Sequence, residues 1–530
     1  MADRNYKSGA SREQGMLFPV CIEDYVSDTN PVRSIDIYID SLNLESMGFT
    51  NTTREVASGQ PAYSPYDLLK LYLYGYMNRI LSSRGLEREA HRNVEVMWLL
   101  KNLTPSYKTI ADFRKNNLTA IKEVNKDFVM VCKELDLFGK ELVAIDGSFF
   151  KGNASNGSIF TKKKLENKIN KLETSINKYI NKLNENDNND QAQSGDDPNL
   201  KKKLKRLVQR QTELKVYKEV LEVSDESQLS LTDTDARLLK KYGRQTVGYN
   251  VQAAVDSKHK LLVTCEVVND GNDVEQLFPM CRKAKEQLGV DNLDAVADSG
   301  YYNQVHLKKC QDNSITPYVS IPDKTGSSNK NISFGRNDFI YDKKNDVYQC
   351  PTGHTLIKHS IQRKGEKLNV KYASNAKICK KCPHKEQCLP EKTKYKQIYR
   401  YEHEDVVEEH RIRMLKKGRD MMKTRASLAE HPFGTLKLWC GWTHFLMRGL
   451  NKVRAEMNLL MLSYNFKRVL NIIGLDAFRE YCLQRRLNKS ALKGVAFTLF
   501  CIFMTVAKNI CRTAFHYNRI WSKPRLSCHG

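Results

Sequence analysis

The stretch ELVAIDGSFF, residues 141–150, decides the fold of this 530-residue chain. Four apolar residues lead directly into Asp146, Gly147 and Ser148, which predicts a short buried strand that ends in one carboxylate. The glycine lets the backbone approach a ligand closely at that point. An aspartate after a strand more often completes a turn or caps a helix, so Asp146 needs partner residues before it indicates a site.

A second stretch, LDAVADSGYY at 293–302, has the same form and contains Asp298 at the matching position. Between the two, GYNVQAAVD at 248–256 and LLVTCEVV at 261–268 predict a β-hairpin, and a helical pattern follows it. Strand, hairpin, helix and strand in this order predict an α/β fold with a mixed sheet. If the two outer strands are parallel neighbours, Asp146 and Asp298 lie at one edge of the sheet, where their hard oxygen ligands suit Mg²⁺ or Mn²⁺.

A third carboxylate, Glu430, lies in the stretch RASLAEHPFGTLK at 425–437. Arg425 and Lys437 flank it with positive charge, as a site that handles phosphate requires. The sequence therefore offers three acids and two basic residues for one site. Three further acids compete for a place in it, although turn, cap and hairpin positions explain them as well: Asp233, Asp235 and Asp256.

Charge and cysteine usage narrow the class of protein. The 86 Lys and Arg residues against 61 Asp and Glu give a net charge of +25, which predicts a polyanionic partner, most economically nucleic acid. The 14 cysteines are mostly scattered and no secretory signal pattern opens the chain, so we expect a cytoplasmic protein. The apolar stretch at 494–507 is shorter than the roughly 18 to 20 residues that span a bilayer, so we expect no membrane partner.

The cysteines cluster in one region only. Cys379 and Cys382 are two residues apart in the pattern Cys-x2-Cys, with Cys350 before them and Cys388 after them. Four soft ligands in this arrangement suit a structural Zn²⁺. Four reduced cysteines in a basic insertion explain the pattern equally well, so the sequence leaves zinc binding open.

Helical patterns precede the predicted sheet and interrupt it. Short helices between residues 63 and 116, with basic residues near their starts, suit a helix-turn-helix-like DNA-binding unit or a helical bundle with a solvated basic face. After the Asp146 strand, apolar seams at 165–183 and 200–221 follow steps of three and four residues. These seams predict an antiparallel helical hairpin that is inserted into the core.

These motifs resemble those of the DDE transposases of bacterial insertion sequences, a family with a ribonuclease-H-like catalytic core. The resemblance implies that Asp146, Asp298 and Glu430 are the catalytic triad and the ligands of Mg²⁺ or Mn²⁺. Lys437 matches the basic position that follows the family's Glu, whereas Arg425 is one place away from the family's arginine. The motifs that carry the resemblance are YSP (63–65), SSR (82–84), TIADFR (109–114), AIDG (144–147), GYNVQ (248–252), ADSGY (297–301) and EHPFG (430–434).

The function that this resemblance implies is metal-dependent cleavage of DNA at the ends of an insertion sequence, followed by strand transfer into target DNA. Double-stranded DNA is the expected partner, with Arg84, Arg114, Arg425 and Lys437 as DNA- or phosphate-binding residues. A homodimer in a synaptic complex, associated with the nucleoid in the bacterial cytoplasm, is also expected. Two alternatives remain open: a catalytically inactive DNA-binding regulator, and a ribonuclease-H-like nuclease without strand transfer.

The expected fold class is α/β, a ribonuclease-H-like mixed sheet with flanking helices. An all-α domain precedes the sheet, and a helical hairpin and a cysteine-containing insertion interrupt it. The expected domains are a helical DNA-binding domain at 1–139, the first part of the catalytic core at 140–325 with the hairpin insertion at 160–223, a cysteine-rich basic insertion at 326–400, the second part of the core at 401–475 and a C-terminal helical tail at 476–530.

Overall fold

The chain forms two compact units, one of residues 1–120 with 466–530 and one of residues 121–465. Within the part of the chain that the structure describes, no helix is both long and apolar enough to cross a membrane. The apolar stretch at 494–507 and most of the predicted tail at 476–530 lie outside that part. The structure, a computed structural model, describes residues 21–52, 61–187, 198–224, 228–241, 243–322, 334–439 and 441–488.

Short helices begin where the sequence offers capping residues. Ser64, Ser82 and Ser106 each accept a hydrogen bond from a backbone N–H of the helix that they precede, which satisfies a donor that the first turn leaves free. The helical prediction for residues 63–116 is confirmed. The helices before the sheet are α1 (Pro31–Asp40), α2 (Pro65–Met77), α3 (Ser83–Arg92), α4 (Val94–Leu99), α5 (Tyr107–Asn116) and α6 (Leu118–Glu134).

Aromatic packing and a buried ion-pair cluster stabilise the first unit. The rings of Tyr72 and Phe113 stack with their centres 6.0 Å apart. Lys70 is only 2% exposed and pairs with Asp36 and Asp40, each at 2.7 Å. Because a buried ammonium group is costly unless it is paired, these contacts fix α2 against α1.

A six-stranded mixed sheet forms the centre of the second unit. The strands of this part of the chain are β1 (Leu142–Lys151), β2 (Ile159–Phe160), β3 (Leu229–Ser230), β4 (Arg237–Lys241), β5 (Arg244–Asp256), β6 (Leu262–Val268), β7 (Leu293–Ala297) and β8 (Ile315–Val319). The order is β4-β5-β1-β7-β8, with β6 also paired to β5, while β2 and β3 form a separate pair. β1 is antiparallel to β5 and parallel to β7, and β7 is parallel to β8. The predicted hairpin is confirmed by the antiparallel β5–β6 pair.

Two long helices, α7 (Lys162–Asp187) and α8 (Pro198–Val223), lie between β2 and β3 in the chain. Leu165 and Ile169 of α7 pack with Leu214 and Leu221 of α8 in one buried cluster, which also contains Phe160. The early part of α7 therefore meets the late part of α8, as an antiparallel hairpin requires. This confirms the helical hairpin that the apolar seams predict.

Two helices connect the later strands of the sheet. α9 (Leu277–Leu288) lies between β6 and β7 in the chain, and α10 (Gln304–Asp312) lies between β7 and β8. α9 packs against β1, β5 and β6 through buried side chains that include Leu277, Met280 and Leu288. Gly289 ends α9 with a φ of +64°, a left-handed conformation that glycine adopts without steric strain.

A second sheet of five antiparallel strands lies in the region that contains the four clustered cysteines, and the sequence pattern does not predict it. Its strands and the accompanying short helices are β9 (Ile340–Asp342), β10 (Val347–Gln349), β11 (Thr355–Lys364), β12 (Lys367–Ala373), α11 (Ala376–Lys381), α12 (Lys385–Cys388) and β13 (Gln397–Tyr401). Phe339, Tyr348, Leu356, Tyr372 and Ile398 form its buried core. This region therefore has an apolar core of its own.

The helix α13 (Glu404–Gly434) follows the second sheet and carries Glu430. It packs against β1, β7 and β8. Pro432 lies in its last turn, where proline cannot donate a backbone hydrogen bond, and a π-helical turn continues the helix over Thr435–Trp439. The helices α14 (Leu450–Ile473) and α15 (residues 475–488) follow.

Candidate active site

Asp146 and Asp298 stand at the same level of two neighbouring strands. Ala144 of β1 and Val296 of β7 are the last pair of the parallel β1–β7 register, and Asp146 and Asp298 each follow that pair by two residues. The parallel pairing that the sequence predicts is therefore confirmed. The predicted end of the first strand is wrong, because β1 continues past Asp146 to Lys151 in antiparallel pairing with β5. Asp298 directly follows β7, and its Oδ1 accepts a hydrogen bond from the backbone N–H of Gly300 at 2.8 Å. This hydrogen bond fixes the carboxylate at the end of the strand.

Two basic side chains contact β1 from the side of α13. Arg425 Nη1 lies 3.9 Å from Asp146 Oδ1, and both side chains are about four-fifths buried. Lys437 Nζ donates hydrogen bonds to Ser148 Oγ at 2.6 Å and to the carbonyl oxygen of Phe149 at 2.7 Å. The structure thus brings both basic residues of the Glu430 segment to the strand that carries Asp146.

Glu430 is an exposed residue near the end of α13. The neighbouring Ala429 and Phe433 are buried, and the ring centre of Phe433 lies 6.2 Å from that of Phe150 on β1. Lys437 follows Glu430 by seven residues and lies in the π-helical turn Thr435–Trp439 that continues α13.

The acids do not form a closed metal-binding group. Among the residues that the structure describes, no three His, Cys, Asp or Glu side chains stand together in a group that could hold a metal ion. The structure aligns Asp146 with Asp298 and places Arg425 at Asp146. It does not gather these carboxylates around Glu430.

Sequence reasoning misses one acid of this region, Asp273, which lies between β6 and α9. Asp273 Oδ1 accepts hydrogen bonds from Asn250 Nδ2 at 2.7 Å and from Gln252 Nε2 at 2.6 Å. Gln252 Oε1 in turn accepts a hydrogen bond from the buried hydroxyl of Tyr301. Burial raises the pKa of Tyr301, and the negative charges of Asp273, Asp146 and Asp298 raise it further.

One signal in the sequence points to this arrangement. Asn250 and Gln252 are two residues apart on β5, so they project from the same face of the strand, and both are fully buried. Two buried amides on one strand face need hydrogen-bond partners. The sequence does not say which residue supplies the partner, because Asp273 comes from a loop that follows the next strand.

The competing acids have structural roles. Asp233 and Asp235 accept hydrogen bonds from backbone N–H groups at the start of α14, as helix-capping residues do. Asp256 accepts hydrogen bonds from the backbone N–H groups of Gly139 and Lys258, both at 2.9 Å. These contacts give Asp233 and Asp235 a capping role and Asp256 a role at the hairpin turn.

The two arginines of the N-terminal helices differ in exposure. Arg84 is exposed, with its guanidinium 5.0 Å from the ring centre of Tyr107. Arg114 is only 6% exposed, and its Nη1 donates a hydrogen bond to the hydroxyl of Tyr76 at 2.9 Å. The expectation that Arg114 binds DNA is therefore corrected, because burial against aromatic rings withdraws its guanidinium from any surface that a phosphate could reach.

The four clustered cysteines line one cavity of about 40 Å³, together with His354 and His384. Burial raises the pKa of the Cys388 thiol, and the neighbouring cysteines add to that shift. Cys350 Sγ lies 3.0 Å from Thr352 Oγ1 and Cys379 Sγ lies 2.9 Å from Ser374 Oγ. Cys350, Cys379, Cys382 and Cys388 thus line one cavity, but among the described residues they do not stand together as a group that could hold a metal ion, and two of the thiols are hydrogen-bonded to hydroxyl groups.

Two family models match the chain. "Transposase DDE domain" matches residues 349–470, and "Transposase domain (DUF772)" matches residues 20–116. No curated protein matches the chain. Among solved structures, it is similar to a piggyBac transposase in a synaptic complex with hairpin DNA, determined by cryo-EM, at a TM-score of 0.31 and 9% identity over 87% of this chain and 80% of that one. Transposase family models thus match the N-terminal helices and the segment that carries Glu430.

Proposed function

We propose that the six-stranded sheet is the ribonuclease-H-like core of this transposase and that Asp146, Asp298 and Glu430 are its catalytic carboxylates. The strands β1, β5 and β6 pair in antiparallel succession, and β7 and β8, which are parallel to β1, follow them in the chain. The helices α9 and α10 connect the later strands, and α13 follows β8 and packs against the sheet. The observation that carries the proposal is the common level of Asp146 and Asp298 on neighbouring parallel strands. Asp298 directly follows the end of β7, and ligands of open α/β sheets bind beyond such strand ends.

The chemistry of the donor set fits a hard divalent cation. Asp146 and Asp298 offer carboxylate oxygens at one sheet edge, and Glu430 offers a third carboxylate from α13. Carboxylates that approach one another repel, and Mg²⁺ or Mn²⁺ relieves that repulsion. When bound, such a cation supplies a water of lowered pKa and stabilises negative charge on the phosphodiester oxygens. Arg425 provides positive charge at Asp146 in the structure, so it competes with the cation for this carboxylate.

The chain's own residues position the DNA strand in this proposal. Lys437 exchanges its hydrogen bond to Ser148 for a phosphate oxygen of the strand that is cut. Arg425, once it leaves Asp146, binds an adjacent phosphate. Phosphoryl transfer needs little covalent help from the protein, so alignment and charge stabilisation account for most of the catalysis.

The proposed substrates are the double-stranded ends of the insertion sequence and a target duplex. The net charge of +25 favours a polyanionic partner because each neutralised phosphate releases counterions. The helices within residues 1–139 hold the element ends, with Arg84 as a phosphate contact, and two chains form the synaptic complex. The 3′ hydroxyl that this cut frees then attacks a phosphodiester of the target duplex and displaces the 3′ oxygen of the target strand.

An assay with donor-end DNA, target DNA and Mg²⁺ tests this function. The wild-type chain is expected to cut the element end and join it to the target, whereas Asp146→Asn and Asp298→Asn are expected to bind the DNA without cutting it. Asp235→Asn, which changes an acid at the start of α14, is the matched control and is expected to retain activity.

Each alternative function gives a different result in the same assay. DNA binding by the wild-type chain without any cleavage supports an inactive regulator. Cleavage that the two aspartate variants abolish, with no joined product, supports a nuclease. Cleavage and joining that survive both substitutions contradict the proposed site.

We also propose a structural Zn²⁺ in the second sheet. Cys350, Cys379, Cys382 and Cys388 line one cavity, and four thiolates are a common ligand set of structural zinc. Zinc binding requires the thiols of Cys350 and Cys379 to turn away from the hydroxyl groups that they contact. The metal would link the turn after β10 to α11 and α12.

The zinc content of purified, reduced protein tests this site. About one zinc ion per chain is expected in the wild type, less in Cys379→Ser, and an unchanged amount in Cys21→Ser, which alters an exposed cysteine outside the cavity. Absence of zinc from wild-type protein that was purified without any chelator contradicts the proposed zinc site.

A further inference from the structure

One face of the helix α3 presents four basic side chains to solvent: Arg84, Arg88, His91 and Arg92. The three arginines follow one another at steps of four residues, a little more than one helical turn. At about 100° per residue, the four side chains fall within an arc of about 100° around the helix axis. The side chains of Arg88 and Arg92 are 66% and 60% exposed. We call this surface the arginine face.

The two acids of α3 lie off the arginine face. Glu89 is only 7% exposed, and its Oε1 accepts hydrogen bonds from Arg92 Nε at 2.9 Å and from Arg92 Nη2 at 2.5 Å. Arg88 Nε lies 3.9 Å from the same oxygen. Glu87 Oε1 accepts a hydrogen bond from the backbone N–H of Tyr107 at 3.0 Å. The arginine face itself is therefore basic throughout, which complements the phosphates of a nucleic acid.

Glu89 fixes the orientation of the Arg92 guanidinium. Its Oε2 also accepts a hydrogen bond from Asn93 Nδ2 at 3.2 Å. Burial acts to raise the pKa of Glu89, but the hydrogen bonds from Arg92 and Asn93 outweigh burial and lower that pKa, so Glu89 keeps its charge at neutral pH. A guanidinium has five N–H donors, and the pair with Glu89 uses two of them. The other donors of Arg92 bind no acceptor among the described residues.

A different contact holds the arginine at the start of α3. The guanidinium carbon of Arg84 lies 5.0 Å from the ring centre of Tyr107, and this tyrosine is itself 44% exposed. Stacking on an aromatic ring leaves the N–H donors at the edge of the guanidinium available. Arg84 is thus held in place without an acid that would neutralise its charge, as a phosphate contact requires.

Arginines at this spacing suit the recognition of bases. The N–H donors of a guanidinium match the O6 and N7 acceptors of guanine in the major groove, which is wide enough to admit an α-helix. Residues 88 and 92 lie about 6 Å apart along the helix axis, close to two base-pair steps of about 3.4 Å each. Because such a two-point contact depends on the plane of the guanidinium, the pairing of Arg92 with Glu89 favours it.

The neighbouring helix α5 is less suited to base recognition. Its only arginine, Arg114, is buried and bonded to the hydroxyl of Tyr76. Its exposed basic residues are Lys108 and Lys115, near its two ends. Lysine provides a point charge without a planar set of donors, so α5 suits contacts to phosphates.

We propose that α3 is the DNA-recognition helix of this chain. Arg88 and Arg92 bind guanine bases in the major groove of the element end, and Arg84 binds an adjacent phosphate. Glu89 is a positioning residue that acts through Arg92. The inference rests on the proposed function, which supplies the partner, duplex DNA, and it adds the residues that select the sequence of that DNA.

The test begins with selection from a randomised library of DNA duplexes by the full wild-type chain. We expect the selected sequences to share guanines about two base pairs apart. Arg88→Lys and Arg92→Lys keep the charge but lose the planar set of donors. Each variant is expected to bind the selected duplex at least about tenfold more weakly, to lose the preference for one of the guanines, and to bind unselected duplexes as the wild type does.

Variants of two other arginines serve as controls. Arg84→Lys keeps the charge that a phosphate contact needs, so it is expected to bind the selected duplex as the wild type does. Arg84→Ala is expected to weaken binding to selected and unselected duplexes alike, and to reduce the slope of log affinity against log salt concentration by about 1. Arg486→Lys changes an exposed arginine of α15 and is the matched control, with affinity and base preference both unchanged.

A purely structural role for Glu89 predicts a different response. Acid–base pairs three residues apart are common on helices and stabilise them slightly. If Glu89 only stabilises α3, Glu89→Gln lowers the thermal midpoint and leaves the base preference intact, which overturns the positioning role. If Glu89 orients Arg92, the same variant loses the preference for the guanine that Arg92→Lys also loses, and it keeps the one that depends on Arg88.

A measurement on the wild-type chain avoids any dependence on how a variant folds. Methylation of guanine N7 blocks an acceptor that arginine binds in the major groove. We expect methylation of the shared guanines in the selected duplex to prevent binding of the wild-type chain. Wild-type binding that methylation of these guanines leaves unchanged overturns the inference.

The failure of this inference and the failure of the proposed function give different patterns. A wild-type chain that selects no sequence, or a selected duplex that Arg88→Lys and Arg92→Lys bind as the wild type does, overturns the recognition role of α3. Neither result affects the catalytic carboxylates, because cleavage and joining are measured separately. If the two variants lose base preference but the wild-type chain neither cuts nor joins DNA, the recognition helix is supported and the transposition chemistry is not.

Discussion

Replacing Gly147 by alanine tests the packing around Asp273 most sharply. The added Cβ would lie 2.5 Å from Gln252 Nε2, 2.8 Å from Asp273 Oδ1 and 2.9 Å from Tyr301 Oη. Contacts this short force the neighbouring side chains to move. Gln252 and Tyr301 are fully buried and hydrogen-bonded to each other, so neither can move without breaking that bond.

The expected cost follows from two contributions. Overpacking of a buried site typically destabilises a protein by about 1–3 kcal/mol, and each hydrogen bond that Gln252 loses adds about 0.5–1.5 kcal/mol. We therefore expect Gly147→Ala to lower the free energy of unfolding by about 2–4 kcal/mol. Gly157→Ala is the matched control, because its Cβ would meet only Ser155 Oγ, at an ordinary 3.7 Å.

The assay is urea unfolding of Gly147→Ala, Gln252→Ala and the double variant. Removing the Gln252 side chain takes away the closest of the clashing atoms, so the double variant is expected to be more stable than the sum of the two single effects, by about 1 kcal/mol or more. If the two single effects on stability simply add, or if Gly147→Ala is as stable as Gly157→Ala, Gly147 is not packed against Gln252 as closely as we infer.

Two further predictions concern buried charge. Burial lowers the pKa of His410, whose Nε2 lies 2.9 Å from the carbonyl oxygen of Val319. The unfolded chain therefore binds a proton at this histidine more readily than the folded chain, so the contribution to stability is present above the ordinary pKa of 6.5 and falls as the pH drops below it. His410→Gln is expected to flatten the dependence of the thermal midpoint on pH between about 7 and 5. Lys70→Met removes the ion-pair partner of Asp36 and Asp40, which are 28% and 33% exposed. We expect this substitution to lower the free energy of unfolding, measured by urea denaturation, by about 1–3 kcal/mol. An unchanged urea midpoint would contradict the stabilising role of this cluster.

Elements whose signal is local could be predicted from the sequence. The strand that Asp298 follows is a short apolar run that ends in turn residues, and the β5–β6 hairpin has a compact turn between two apolar runs. The end predicted for the Asp146 strand is wrong, because pairing with β5 extends β1 through Gly147 and Ser148 to Lys151. The helical hairpin follows from apolar side chains at steps of three and four residues. Each of these patterns lies within a few tens of residues and does not depend on distant parts of the chain.

Local apolar patterns in the sequence do not reveal the second sheet. Its outer strands, β9 and β10, have only three residues each, too few for a periodic pattern to be recognised. In β11 the register shifts between Lys358 and Ser360, and such a bulge interrupts the alternation that identifies a half-buried strand. Its apolar core is assembled from residues as far apart as Phe339 and Ile398.

Contacts of single side chains are the least predictable part of the site. Arg425 reaches Asp146 across nearly 300 residues of sequence, and Asp273 stands in a loop without any periodic pattern. Arg114 carries a charge that suggests a surface, but Tyr76 and Tyr72 surround its guanidinium. Such placements depend on the packing of the whole unit and not on neighbouring residues.

The position of bound Mn²⁺ shows whether Asp146 and Asp298 form the proposed metal site. Anomalous diffraction from crystals of the chain with donor-end DNA and Mn²⁺ locates the ion without reference to activity. We expect a Mn²⁺ peak within coordination distance of carboxylate oxygens of both Asp146 and Asp298, with Arg425 displaced from Asp146. Mn²⁺ bound only elsewhere, with the Arg425–Asp146 pair still in place beside the DNA end, would contradict it.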